Sequence, residues 1–168
     1  RMPKWFVRWV SRRYVAGPDL SDAVAIMKRL SGEGTCFTID VLGEEITSMD
    51  EAQFFYDEYV RVIEAIHAGQ FDANLSIKPT AFGLLIDRQK GMDNIRKLVE
   101  LASKNDMFVR LDMEDHRVTT DTIQVVKDLH SEGLTNVGTV IQGRLFRSLG
   151  DISHLEQYGS RFKEGNYI

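Results

Sequence analysis

The sequence predicts an α/β protein built on a parallel sheet. Short runs of β-branched and aromatic residues alternate with helical apolar patterns. They recur about every 30 to 38 residues, the rhythm of successive strand–helix units. Four such strands are legible, with the start of a fifth, in a chain of 168 residues. That length suits a single domain with a sizeable core. Two architectures share the rhythm: an open doubly wound sheet, and a closed (β/α)8 barrel, which needs about 250 residues.

The elements follow in order. Residues 1–33 are a helical lead-in, and residues 34–168 hold the βα units. The opening "RMPKWFVRWVSRR" is basic, with Trp5, Phe6 and Trp9 interleaved. It reads as an amphipathic helix packed on its own domain. Contact with a membrane surface or an anionic partner is the alternative. "LSDAVAIMKRL" (20–30) is an amphipathic helix capped by Ser21 or Asp19. "GTCFTIDVLG" (34–43) is the first strand, and Cys36 within it is expected as a small buried core residue, not a nucleophile. Ser48-x-x-Glu51 forms a capping box. Behind it Phe55, Tyr59, Val62, Ile63 and Ile66 recur at helical spacing, with Gly69 as the stop.

"ANLSIKP" (73–79) is the second strand, ended by a proline that cannot continue a ladder. A helix over 91–104 turns Ile95, Leu98, Val99 and Ala102 to one face. "MFVRLDM" (107–113) is the third strand. The helix over 119–132 places Ile123, Val126 and Leu129 inward, with Gly133 at its end. "NVGTVIQ" (136–142) is the fourth strand, and a short helix over 150–158 follows. His67, His130 and His154 fall on helices or near their ends and read as surface or capping residues.

Composition narrows the function classes. A hydrophobic fraction of 43% and a charged fraction of 27% are ordinary for a globular protein. The net charge of −4, with no long run of one sign, argues against nucleic acid as the main partner. No apolar run approaches the ~20 residues that span a bilayer, and the first residues lack the apolar centre of a signal peptide. The single cysteine rules out an internal disulfide framework and suits a reducing compartment. The expected location is cytoplasmic, with peripheral contact at the inner face of the membrane as a variant. After the first strand comes "VLGEEITS", with one glycine and two glutamates. Neither G-x-G-x-x-G nor G-x-x-x-x-G-K-[ST] occurs there, which argues against a doubly wound nucleotide-binding sheet in its usual form.

Each strand ends in a polar residue: Asp40, Lys78, Asp112 and Gln142. In α/β folds ligands bind at the carboxyl ends of the strands, so these four aim at one mouth. Neighbouring strands lie about 5 Å apart. Lys78 is therefore expected between Asp40 and Asp112, held charged by both. A structural network of ion pairs is the plainer reading. Three chemistries fit the mouth. A divalent metal would draw on Asp112, Glu114 or Asp115 with His116, but a strand splits 112 and 114 from 115, and no metal ligands are assigned. A Schiff-base lysine needs a lowered pKa, which acidic neighbours oppose. The third is an anionic substrate anchored by Lys78, with Gln142 hydrogen-bonding a cofactor.

"RYVAG" (13–17), "TIDVLGE" (38–44), "LSIKPTAFGL" (75–84), "VRLDMED" (109–115) and "NVGTVIQGRLFRS" (136–148) occur in this order. Together they resemble proline dehydrogenase, the flavin-dependent family that oxidises L-proline to Δ1-pyrroline-5-carboxylate. The resemblance implies a distorted (β/α)8 barrel with non-covalent FAD over the strand ends. About half to five-eighths of that barrel is present, as one partial domain over 1–168. It implies that Lys78 meets the proline carboxylate, that Asp112 sits beside that lysine, and that Met113 lies near the flavin edge. Gln142 matches the glutamine that hydrogen-bonds the isoalloxazine, Val140 a flavin-packing position, and Arg144 a neighbouring cofactor position. There the family often carries Gln-Ala-Tyr in place of Gln142-Gly143-Arg144. Asp40 and Glu44 match two acids at the mouth, and the second pairs in the family with an arginine of the last helix to gate the site. "KEGNYI" (163–168) stands where the family has Lys-Gly-x-Tyr, with Glu164 in place of the lysine, which makes Tyr167 a further gate residue.

The implied partners are L-proline and a quinone or other electron acceptor. A half barrel also exposes strand edges that invite self-association. The chain reads as a portion of a complete enzyme, inactive or nearly so alone, or else as a fragment completed by association. Two other classes stay open at this point: a metal-assisted barrel lyase or isomerase using Asp112, Glu114 and His116, and a non-catalytic fragment that keeps only the fold.

Overall fold

The computed structural model describes residues 17, 19–44 and 46–159. The basic segment over 1–13 and Tyr167 lie outside the described residues. The elements alternate as read: α1 (Leu20–Ser31), β1 (Phe37–Asp40), α2 (Met49–Gly69), β2 (Ala73–Ile77), a 3-10 turn (Pro79–Phe82), α3 (Arg88–Lys104), β3 (Val109–Leu111), α4 (Thr119–Ser131), β4 (Val137–Thr139) and α5 (Ser148–Gly159).

The four strands are parallel and ordered β1-β2-β3-β4. A doubly wound sheet reverses its strand order at a switch point. This one does not, so every crossover helix falls on the same side, as in a (β/α)8 barrel. Burial agrees. Leu75, Ile77, Val109, Leu111 and Val137 alternate along the strands and join one apolar cluster with Ile63 and Ile66 of α2, Ile95 and Leu98 of α3, and Val126 and Leu129 of α4. Leu75, Ile77, Val109, Leu111, Ile95 and Leu98 are fully buried. The other face of the strands is polar. In register across the sheet it carries Asp40, Ser76, Arg110 and Gly138.

Local signals set the helix ends. Ser48 caps α2, accepting from the Glu51 N–H at 3.3 Å and donating to Glu51 Oε1, the capping box read from sequence. The helix stops at Gly69, but Gln70 takes the left-handed turn (φ 51°). Asp87 caps α3 by accepting from the Lys90 N–H. Asp19 occupies the N-cap of α1, yet its side chain makes no capping bond.

The strands are shorter than the apolar runs suggested. β1 starts at Phe37, so Cys36 precedes the ladder and is exposed. That corrects the expectation of a buried cysteine: a β-prone run does not say where its neighbour begins to pair. Among the described residues no helix is long and apolar enough to cross a membrane.

Candidate functional site

The carboxyl ends of the strands surround a cavity of about 400 Å³ whose lining includes Glu44, Lys78, Asp112, Met113, Val140 and Gln142. Lys78 follows β2 directly and is the N-cap of the 3-10 turn. A lysine side chain has no acceptor with which to cap, and Pro79 has no N–H to satisfy. The first donor in need of a partner is the Thr80 N–H. Glu114, from the segment after β3, accepts that N–H at 2.9 Å and the Thr80 hydroxyl at 2.5 Å. With its turn capped from a neighbouring strand, Lys78 is left to project into the mouth.

There its ammonium meets Asp40 Oδ2 at 2.7 Å. Burial alone would lower the lysine pKa. The hydrogen bond and charge of Asp40, with the fields of Asp112 and Glu44, outweigh that and raise it. A neutral Schiff-base lysine is thus opposed by its own surroundings.

Asp112 is held differently. It accepts from the Ser76 hydroxyl at 2.6 Å and lies 3.5 Å from Arg110 Nε, while Arg110 Nη2 donates to Ser76 Oγ at 3.2 Å. Lys78 thus lies between Asp40 and Asp112 and is held charged by both, as the strand ends suggested, but the two acids act differently. Asp40 is its direct partner, and Asp112, tied down by Ser76 and Arg110, acts on it through its field. The reason is the period of two along extended chain: Asp112 directly follows β3, where its N–H still pairs with the Ile77 carbonyl, so it finds a cation, Arg110, two residues back on the same face.

The remaining sequence candidates fall as follows. Gln142 Nε2 donates to the carbonyls of Met113 (3.0 Å) and Glu114 (3.4 Å). Two carbonyl partners fix the amide orientation. Met113 is buried beneath this mouth and Val140 is 37% exposed within it. Glu44 is exposed on the rim. Arg144 is exposed and lies outside the lining. Asp115 accepts from the Arg117 backbone N–H and pairs with its guanidinium. Burial raises the Glu114 pKa despite its bonds from Thr80. His116 is exposed. Among the described residues no three His, Cys, Asp or Glu side chains converge as metal ligands, so Asp112, Glu114 and His116 do not form the cage that the lyase alternative requires.

Sequence reasoning passed over three residues. Ser76 and Arg110 sit two positions before Lys78 and Asp112, so strand periodicity could have placed them on the site's face. Tyr59 was read only as helix core. Its hydroxyl accepts from the Val41 N–H at 3.0 Å and lies 2.7 Å from the Ser76 carbonyl oxygen and 3.2 Å from Asp40 Oδ1. The signal was available: a buried tyrosine needs a partner for its hydroxyl.

Comparison with known proteins gives the family and the fold. The family model for proline dehydrogenase matches residues 23–164. The chain belongs to the proline dehydrogenase family. Among curated family members, Proline dehydrogenase 1 of Bacillus subtilis is 36% identical over 142 residues, covering 84% of this chain and 47% of that protein. Proline dehydrogenase of Deinococcus radiodurans is 33% identical over 165 residues, covering 95% and 53%. The chain thus spans about half the length of the family members it matches. The crystal structure of proline utilization A from Bdellovibrio bacteriovorus, inactivated by N-propargylglycine, superposes with a TM-score of 0.80 at 23% identity. It covers 90% of this chain and 19% of that one, and shows the shared barrel fold. One from Bradyrhizobium japonicum gives 0.66 at 18% identity.

Proposed function

We propose that this chain carries the substrate-clamping half of a site that oxidises L-proline to Δ1-pyrroline-5-carboxylate with FAD. The observation that carries the reading is Lys78: a cation fixed at the strand ends by Asp40, with its charge reinforced by Asp112 and Glu44. Such a group suits a small substrate whose recognition handle is a carboxylate.

The residues present fit a flavin. Met113 and Val140 offer apolar surface for a flat ring, and the fixed Gln142 amide offers an acceptor oxygen beside it. Arg144 is assigned beyond that edge. FAD, when bound, supplies the two-electron acceptor that turning an amine into an imine requires. The chain's own groups bind and orient. Lys78 holds the proline carboxylate. Asp40 keeps Lys78 charged and in place, and Asp112, oriented by Ser76 and Arg110, adds its field without serving as the proton acceptor. Glu44 and Tyr167 are the gate residues by resemblance. A quinone or another acceptor completes the cycle, in a protein assigned to the cytoplasm or the inner face of the membrane.

Replacing Lys78 by alanine in the intact enzyme tests the reading. Losing a charge-assisted contact of ordinary strength should lower kcat/KM for L-proline roughly tenfold to a hundredfold. A value near wild type removes Lys78 from the clamp.

A further inference from the structure

We propose that Tyr59 is a positioning residue of this site: its hydroxyl, delivered from α2, sets the Asp40 carboxylate that holds Lys78. The inference rests on reading Lys78 as the substrate anchor, and it assigns that anchor's geometry to a residue in the hydrophobic core.

Tyr59 is 1% exposed. Its ring stacks near Phe82 of the 3-10 turn, with centroids 5.7 Å apart. Phenylalanine would serve that packing equally well. The hydroxyl is what requires explanation, because a buried polar group must be satisfied. Its contacts all lie at the exits of two strands. It accepts from the Val41 N–H just after β1, and its single proton has two acceptors in reach, the Ser76 carbonyl oxygen on β2 and Asp40 Oδ1 at the end of β1. One oxygen atom therefore ties the strand that carries Asp40 to the strand that leads into Lys78.

The consequence falls on Asp40. Its side chain is 34% exposed, and an exposed carboxylate is free to rotate into water, so a pair with lysine there is worth little by itself. With Oδ1 drawn toward Tyr59, Oδ2 is left facing the Lys78 ammonium at 2.7 Å. Asp40 is thereby divided between a buried phenol and the cation. The other charged groups around Lys78 are Glu44 after β1 and Asp112 and Glu114 after β3. Among the described residues none of these three pairs with it directly, so loss of the Asp40 orientation leaves Lys78 without a fixed partner.

The test reads Lys78 itself. The intact protein and its Tyr59→Phe variant are treated with a trace of acetic anhydride at about pH 8, and the acetylation of Lys78 is compared by peptide mapping with that of exposed Lys97. An acylating reagent takes only the neutral amine. Release of Asp40 should lower the Lys78 pKa and raise its labelling roughly threefold to tenfold. In an Asp40→Asn background the same Tyr59 change should add nothing, because the two residues act on Lys78 in series. In turnover the variant should raise KM for L-proline more than it lowers kcat. Unchanged Lys78 labelling in a folded Tyr59→Phe protein overturns the proposal. So does an equal increase in the Asp40→Asn background, which would mark general loosening of the core. Should the phenylalanine variant fail to fold, Tyr59→Met is read by the same cycle. Coupled labelling in a protein that does not oxidise proline would leave the role of Tyr59 standing and the substrate assignment fallen.

Discussion

Among the described residues, Lys78 has one ion-pair partner at hydrogen-bond distance and further carboxylates in its field. Its charge was predictable from the strand ends, because a residue just past a parallel strand points to the mouth whatever its partners are. Which of its two flanking acids pairs with it directly was not. The choice of Asp40 over Asp112 depends on register, and on Arg110 and Ser76 occupying the acid of β3. Tyr59 was hidden for the same reason. Its helical spacing announced burial, but only the approach of α2 to the exits of β1 and β2 gives its hydroxyl a role. The raised pKa has a consequence with a definite sign. A lysine whose folded pKa exceeds its unfolded value contributes stability that is fully present below the unfolded value and is lost as pH rises through the folded one. The melting-temperature advantage of wild type over Lys78→Met should therefore hold steady through neutral pH. It should close only in alkali, above the usual lysine value of about 10.4. An advantage that disappears near neutrality would contradict the Asp40–Lys78 pairing.

Elements were legible where a local rule decides them. The capping box at Ser48 and the apolar faces of α2, α3 and α4 appear as read, because a 3.6-residue period and a cap need no knowledge of the rest of the chain. Ser48→Ala should accordingly cost about 1 kcal/mol in denaturant unfolding. Strand limits were less legible, since pairing needs a neighbour and the β-prone runs extend into loops. Close approach between elements was not legible at all. Gly91 in the first turns of α3 is an instance: a Cβ there would stand 2.7 Å from the backbone nitrogen of Leu84 and 2.8 Å from its Cα. Backbone cannot step aside as a flexible side chain can. Gly91→Ala should raise helix propensity yet destabilise the protein by about 1–3 kcal/mol through overpacking. Since the 3-10 turn following Lys78 runs into Gly83 and Leu84, the same variant should also weaken proline binding. Unchanged stability would show that α3 does not dock this tightly.

At the scale of the molecule, the alternation of strands and helices announced a parallel sheet, while its strand order had to be seen. The order β1-β2-β3-β4 puts the apolar strand face under the helices and a polar face inside. Among the described residues, β1 pairs only with β2 and β4 only with β3. After β4, Phe146 in the turn before α5 and Leu149 and Ile152 on α5 are 107%, 81% and 44% exposed. Unpaired edges flanked by apolar surface recruit other chains. The 168-residue chain by itself should therefore run larger than a monomer in size-exclusion chromatography with light scattering, and Leu149→Lys should shift it toward the monomer. A clean monomer would mean that these edges are already covered. The whole reading meets its most direct test in the visible absorbance of the intact protein, recorded without oxygen as L-proline is added. Bound FAD and a working Lys78 clamp predict a yellow protein whose flavin bands bleach with proline, and a Lys78→Ala variant that needs far more proline for the same bleaching. A colourless protein, or flavin bands that proline leaves untouched, would contradict it.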